Sequence, residues 1–195
     1  MTPDVGGGHS RKDRMMDHSN HSGNPKHAEG QPPDPTEEVL EMVEIEIEIE
    51  DREEPMGFSV VVDEHFFETV RARIETTEEM HLFEHGHDKP LPCPPHGRQA
   101  IRLVGHRCLI VKLEVRYEHR TIEHRFAPSE AVFKALQWAV GNKGFNLDPV
   151  AAAKANLILP GADAPLPREA ALGKFVKRDH CTLVVDLTLK DFSNG

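Results

Sequence analysis

Aromatic side chains are scarce in this 195-residue chain, at 6% of residues, with a single Trp and a single Tyr. Gly and Pro supply 14 and 15 residues. One uniform core through the whole length is therefore excluded, and one ordinary domain or two small ones fit better. Cysteine is rarer still. Cys93, Cys108 and Cys181 are three and scattered, so a disulfide framework is not expected. No apolar run approaches the roughly eighteen residues of a membrane span, and no signal-peptide core follows Met1; a cytoplasmic protein with no membrane partner is expected. There is no Gly-x-Gly-x-x-Gly after a strand, no Gly-x-x-x-x-Gly-Lys and no nucleophile–base–acid arrangement. The chain is accordingly not expected to be an enzyme. A basic excess is also missing. The formal net charge is −10, and residues 36–54, with ten acids against one Arg, account for −9 of it. That balance excludes nucleic acid as a general partner, since phosphate binding needs a basic face.

What is present is organised unevenly. Residues 1–35 hold Gly6-Gly7-Gly8, many Ser, Asn, Pro and His, and almost no large apolar side chain. Such a segment cannot bury enough surface to offset its ordering entropy and reads as a disordered tail. The acidic segment 36–55 carries Val43, Ile45, Ile47 and Ile49 in strict alternation with Glu44, Glu46, Glu48 and Glu50. The period is that of a strand. It reads either as an edge strand of the next domain, with glutamates that discourage aggregation, or as a peptide that adds to an exposed sheet edge.

Residues 56–108 read as a small β-rich module. Phe58–Val62 and Phe66–Ile74, joined through Asp63-Glu64-His65, suggest a β-hairpin. Thr76–Met80 opens a short helix that Gly86, Pro90 and Pro92 close. His81, His85, His87, Cys93, His96 and Cys108 are all zinc-ligand types. The set lacks the Cys-x-x-Cys and His-Glu-x-x-His spacings that make a metal site specific, so no metal is assigned.

The pattern is clearer from residue 110 onward. Val111, Leu113, Val115 and Tyr117 alternate with charged residues, and the chain returns through Ile122, His124 and Phe126. A helix over about 129–142, with Ser129 as N-cap, places Val132, Leu136, Ala139 and Val140 on one stripe. Trp138 lies off its centre. The Leu157-Ile158-Leu159 strand, the Pro160-Gly161 turn and a helical turn at Ala170–Val176 follow. The closing strand alternates at Leu183, Val185, Leu187 and Leu189. Hairpin, helix, short strand and returning strand give an α+β, β-grasp order over 110–190. Its expected core is Val111, Leu113, Val115, Ile122, Phe126, Val132, Leu136, Leu157, Leu159, Leu172, Val176, Leu183, Val185 and Leu187. Residues 191–195 form a short polar tail to Gly195. A glycine there suits a narrow channel, because it has no Cβ.

Leu157-Ile-Leu-Pro-Gly161, Leu166–Leu172, Phe175-Val176-Lys177 and Thr182-Leu183, with the glycine tail, resemble the second half of ubiquitin. The order of elements is similar to that of the bacterial ubiquitin-like modifiers of antiphage conjugation operons, themselves compared with the interferon-stimulated tandem ubiquitin-like protein of animals. The resemblance covers roughly residues 110–195. It implies that 56–108 is an upstream, degenerate β-grasp module. It also implies that Gly195 is the residue conjugated to targets and that Phe192, Ser193 and Asn194 thread partner enzymes. The implied partners are an activating enzyme, a conjugating enzyme, a deconjugating isopeptidase and target proteins modified on amines. No cofactor belongs to the chain itself, since ATP is used by the activating enzyme. A docking surface is expected near Ile158 and Val184. Three features depart from the family pattern, one of them a basic tail reduced to Lys190 beside Asp191. Asn194 precedes Gly195 where a second Gly is usual, and Asp186 stands where another apolar residue is expected. The alternatives are a non-conjugating β-grasp binding or scaffold protein and a sulfur carrier.

Overall fold

A computed structural model describes residues 40–50, 52–75, 79–177, 180–190 and 192. Two four-stranded mixed sheets dominate it. The first lobe runs β1 (Met42–Ile49), β2 (Met56–Val61), α1 (Phe66–Arg73), β3 (His81–Glu84) and β4 (Ala100–His106). Its strand order is β2-β1-β4-β3, with β1 and β4 parallel and the other pairs antiparallel. The second lobe runs β5 (Val111–Tyr117), β6 (Arg120–Phe126), α2 (Val132–Val140), α3 (Pro149–Lys154), β7 (Asn156–Ile158), the 3-10 turn Leu172–Phe175 and β8 (Thr182–Thr188). Its order, β6-β5-β8-β7 with β5 and β8 parallel, repeats that of the first. This is the α+β, ubiquitin-like arrangement. Among the described residues, no helix is long and apolar enough to cross a membrane.

Alternation explains each sheet. On β1, Val43, Ile45, Ile47 and Ile49 are buried, because one face of a strand takes every second residue. The glutamates between them lie on the other face, where they meet cations and a hydroxyl. Arg102 places Nε 3.4 Å from Glu46 Oε1 and Nη2 3.1 Å from Glu48 Oε1. Ser59 Oγ donates to Glu44 at 2.7 Å. The acidic strand is thus not at an edge: it pairs with β2 on one side and β4 on the other. Its pairing places it inside the first lobe rather than in a separate extended segment.

Phe66–Ile74, expected as the second strand of a hairpin, is instead α1 and its cap. Phe66, Val70 and Ile74, spaced by four, are all buried, which is the helical stripe spacing. Of the short helix expected at 76–80, residues 76–78 lie outside the described residues, and Met80 is buried immediately before β3. The tail 1–35 also lies outside them.

In the second lobe, the expected core packs as one cluster. Ile122 and Leu159 are only partly buried at its margin. The helix begins later than expected, with Ala131 as N-cap and no side-chain cap. Ser129 is buried before it and donates its hydroxyl to the His87 carbonyl of the first lobe. His124 and Trp138 stack with ring centroids 4.9 Å apart, and Phe126 meets both edge-on. The in-phase histidine is therefore exposed and held by an aromatic partner rather than inserted in the core.

Candidate functional site

β8 is the strand from which the tail departs. Its odd-numbered residues Leu183, Val185 and Leu187 are buried, and its even-numbered residues are half-buried on the opposite face. That face carries the two residues expected to dock a partner. Ile158 of β7 is the register partner of Asp186, and Val184 lies two residues along β8. A groove of 440 Å³ extends from Val184 past Leu159, Pro160 and Phe175 to Lys177 and His180. Ile158 and Val184 thus share one face, apolar at one end and cationic at the other, with Asp186 between strands as the single carboxylate among the residues named. An apolar surface rimmed by charge is what a specific protein partner needs.

Beyond β8, Lys190 donates its backbone N–H to Thr188 Oγ1 at 3.1 Å, and its Nζ lies 5.4 Å from the centroid of the half-buried Phe192 ring. Phe192 is the one tail residue of the expected set with a described position. Ser193, Asn194 and Gly195 lie outside the described residues.

A second cluster was not foreseen. At the lobe junction Glu50, at the end of β1, and His106, at the end of β4, are buried. His106 Nδ1 accepts the Cys108 N–H at 2.9 Å, which leaves its proton on Nε2, 3.1 Å from Glu50 Oε2. Arg107 Nη1 lies 2.7 Å from the other oxygen of the same carboxylate. Burial holds the His106 imidazole below its ordinary basicity. The nearby Glu50 carboxylate opposes that shift, and the Arg107 charge adds to it. A neutral imidazole and one Glu–Arg pair is the arrangement with the least uncompensated buried charge. The signal for the cluster was faint in the sequence: a glutamate in phase with the solvent-facing series of β1, and a histidine ending an apolar strand.

Against expectation, two of the three cysteines pair. Cys108 and Cys181 form a disulfide across 73 residues, leaving Cys93 free and exposed. The bridge removes Cys108 from the set of zinc-ligand types. Others of that set meet carboxylates instead: His96 Nδ1 lies 3.0 Å from Glu41, whose carboxyl is held below its usual value chiefly by that contact. Among the described residues no three His, Cys, Asp or Glu side chains are placed to hold one metal ion.

Residues 112–190 match the family model described as BilA ubiquitin-like domain 2, a match that spans less than half of the chain. No curated protein matches the chain. The second lobe is thus a ubiquitin-like domain by both its strand order and its sequence.

Proposed function

We propose that the chain is a ubiquitin-like modifier, attached to amines of target proteins through the carboxyl group of Gly195 and used in bacterial antiphage defence. The observation that carries this reading is the match of residues 112–190 to a BilA ubiquitin-like domain, a stretch that closes with β8 and stops five residues short of Gly195. The chemistry follows from the carboxylate. It is a poor acyl donor until adenylation turns one oxygen into part of a good leaving group. An activating enzyme spends ATP on that step and takes the acyl group as a cysteine thioester. A conjugating enzyme passes it to an amine, usually lysine, and an isopeptidase removes it. On this chain the roles fall to Gly195 as the acyl residue and to Phe192, Ser193 and Asn194 as the segment that threads the enzymes. Ile158 and Val184, with the groove toward Phe175, serve as the docking face, and Asp186 selects partners that bring a cation to it. The chain itself contributes surface and a terminus and leaves catalysis to its partners in the cytoplasm.

The test is direct. Purified chain is incubated with ATP and the adenylating enzyme encoded beside it, and a thioester is sought on non-reducing gels. Hydroxylamine should discharge the adduct, and deletion of Gly195 should abolish it. An adduct that forms equally without Gly195, or none with an enzyme shown to hydrolyse ATP in the presence of the chain, overturns the proposal.

A further inference from the structure

The Cys108–Cys181 bridge sits where the two lobes are joined. Cys108 is buried within the four-residue connector Arg107–Ile110 between β4 and β5, and Cys181 is exposed immediately before β8. Arg107 spans the same place. Its Nη1 faces Glu50 of the first lobe, while its Nη2 donates to the carbonyl of Lys177 at 2.6 Å and lies 3.5 Å from that of His180. Through His106, whose Nδ1 accepts the Cys108 N–H, the connector is keyed to the buried Glu50 carboxylate. The Cys181 carbonyl in turn accepts the Lys112 N–H at 2.8 Å, at the first rung of the β5–β8 ladder. The first-lobe acid, the connector and the start of the last strand therefore meet at one bridge.

We propose that Cys108–Cys181 is a thiol–disulfide exchange site that latches the lobes, so that the orientation of the two modules depends on redox state. The exposed partner sets the direction of attack. A dithiol reductant sends one thiolate onto Cys181 Sγ, the Sγ–Sγ bond breaks, and Cys108 leaves as a thiolate that takes up a proton. The second thiol of the reductant then attacks the mixed disulfide and releases Cys181 as a thiol, leaving the reductant oxidised to its own disulfide. Once cut, the connector and the approach to β8 keep, among the described residues, the Arg107 contacts and the Lys112–Cys181 bond. The lobes still share the buried cluster of Phe83, Val104, Ala127 and Ala171 and the Ser129 bonds to Gly86 and His87. A bridge in this position responds to its surroundings: reducing compartments hold such pairs as thiols and oxidising ones as disulfides. With the bridge closed the lobes are fixed, and with it open they pivot about the contact they still share.

The full chain is compared after equilibration with oxidised glutathione and after treatment with a phosphine reductant. Thiol titration under denaturing conditions should count at most one thiol in the first case, Cys93 being open to a mixed disulfide with glutathione, and three in the second. Residual dipolar couplings should fit one alignment tensor for both lobes when oxidised and two different tensors when reduced. The Cys108 and Lys112 amides should exchange at least tenfold faster after reduction. The C108S/C181S double variant should match the reduced protein in both buffers; if it fails to fold, the wild-type comparison decides. Three thiols persisting under oxidation, or identical tensors and exchange rates in both states, would overturn the proposal.

Discussion

Adding one carbon at Gly173 tests the packing of the lobe junction. Gly173 lies in the 3-10 turn of the second lobe, and its φ is outside the left-handed region, so its lack of a side chain serves space rather than backbone freedom. A Cβ there would lie 2.7 Å from His106 Cδ2, 2.9 Å from Pro128 Cβ and 3.1 Å from the Pro128 carbonyl oxygen. Neither neighbour yields easily. The His106 ring is buried, with Nδ1 held by the Cys108 N–H and Nε2 3.1 Å from Glu50 Oε2, and Pro128 is a closed ring. Over-packing of this kind costs about 1–3 kcal/mol. For a protein of this size that corresponds to a fall in Tm of about 2–12 °C. Gly57, whose added Cβ would meet only the Ile45 carbonyl at 3.9 Å, is the control: G57A should shift stability by less than about 0.5 kcal/mol. The assay is urea unfolding followed by circular dichroism and Trp138 fluorescence, repeated in a His106→Ala background. With the imidazole gone, only Pro128 opposes the new methyl, so G173A should cost less there than in wild type. A wild-type midpoint for G173A, or the same cost in both backgrounds, would refute the reasoning.

Other outcomes follow from single contacts. Leu113 is fully buried at the centre of the second core, so L113A should lose about 2–5 kcal/mol through lost transfer energy and the cavity left behind, read as a lower urea midpoint. Asp148 caps α3 by accepting from the Val150 and Ala151 N–H groups, and D148A should cost about 0.5–2 kcal/mol in the same assay. The burial-depressed basicity of His106 makes the junction sensitive to acid. Below the ordinary histidine value of 6.5 the unfolded chain takes up a proton that the folded chain refuses. Stability from this group is complete above that pH and declines as pH falls toward the lowered folded value. Urea midpoints between pH 8 and pH 5 should show this slope, and H106Q should flatten the difference.

The second lobe was legible because its signals are local and agree. Val111, Leu113 and Val115, the α2 stripe, and Leu183, Val185 and Leu187 each keep a single period, and each buries the face that the period names. The first lobe was harder for physical reasons. Phe66, Val70 and Ile74 keep a helical spacing, yet aromatic and β-branched residues lean toward strand by composition. The Glu–Ile alternation of β1 reports one buried face and says nothing of whether the strand is central, since Arg102 and Ser59 on neighbouring strands decide that. Ser129 has the chemistry of an N-cap, but tertiary packing gave its hydroxyl to His87 instead. The Cys108–Cys181 pairing and the Glu50–His106–Arg107 cluster depend on which strands become neighbours. Across 73 residues, no local pattern carries that information. For the site, the family resemblance pointed to Ile158 and Val184, while their shared face and the company of Phe175, Lys177 and His180 came only through the fold.

Lys190 is the last basic residue before Gly195, and that gives the modifier reading its most direct measurement. In cells carrying the chain with its native neighbouring genes, tryptic digests of the purified conjugates are read by mass spectrometry. Attachment through Gly195 predicts target lysines bearing a branched Asp-Phe-Ser-Asn-Gly remnant, residues 191–195 of this chain, and no such remnant when the isopeptidase is added first. If that pentapeptide is recovered only as a free terminal fragment, the chain is not transferred through Gly195 and the reading fails.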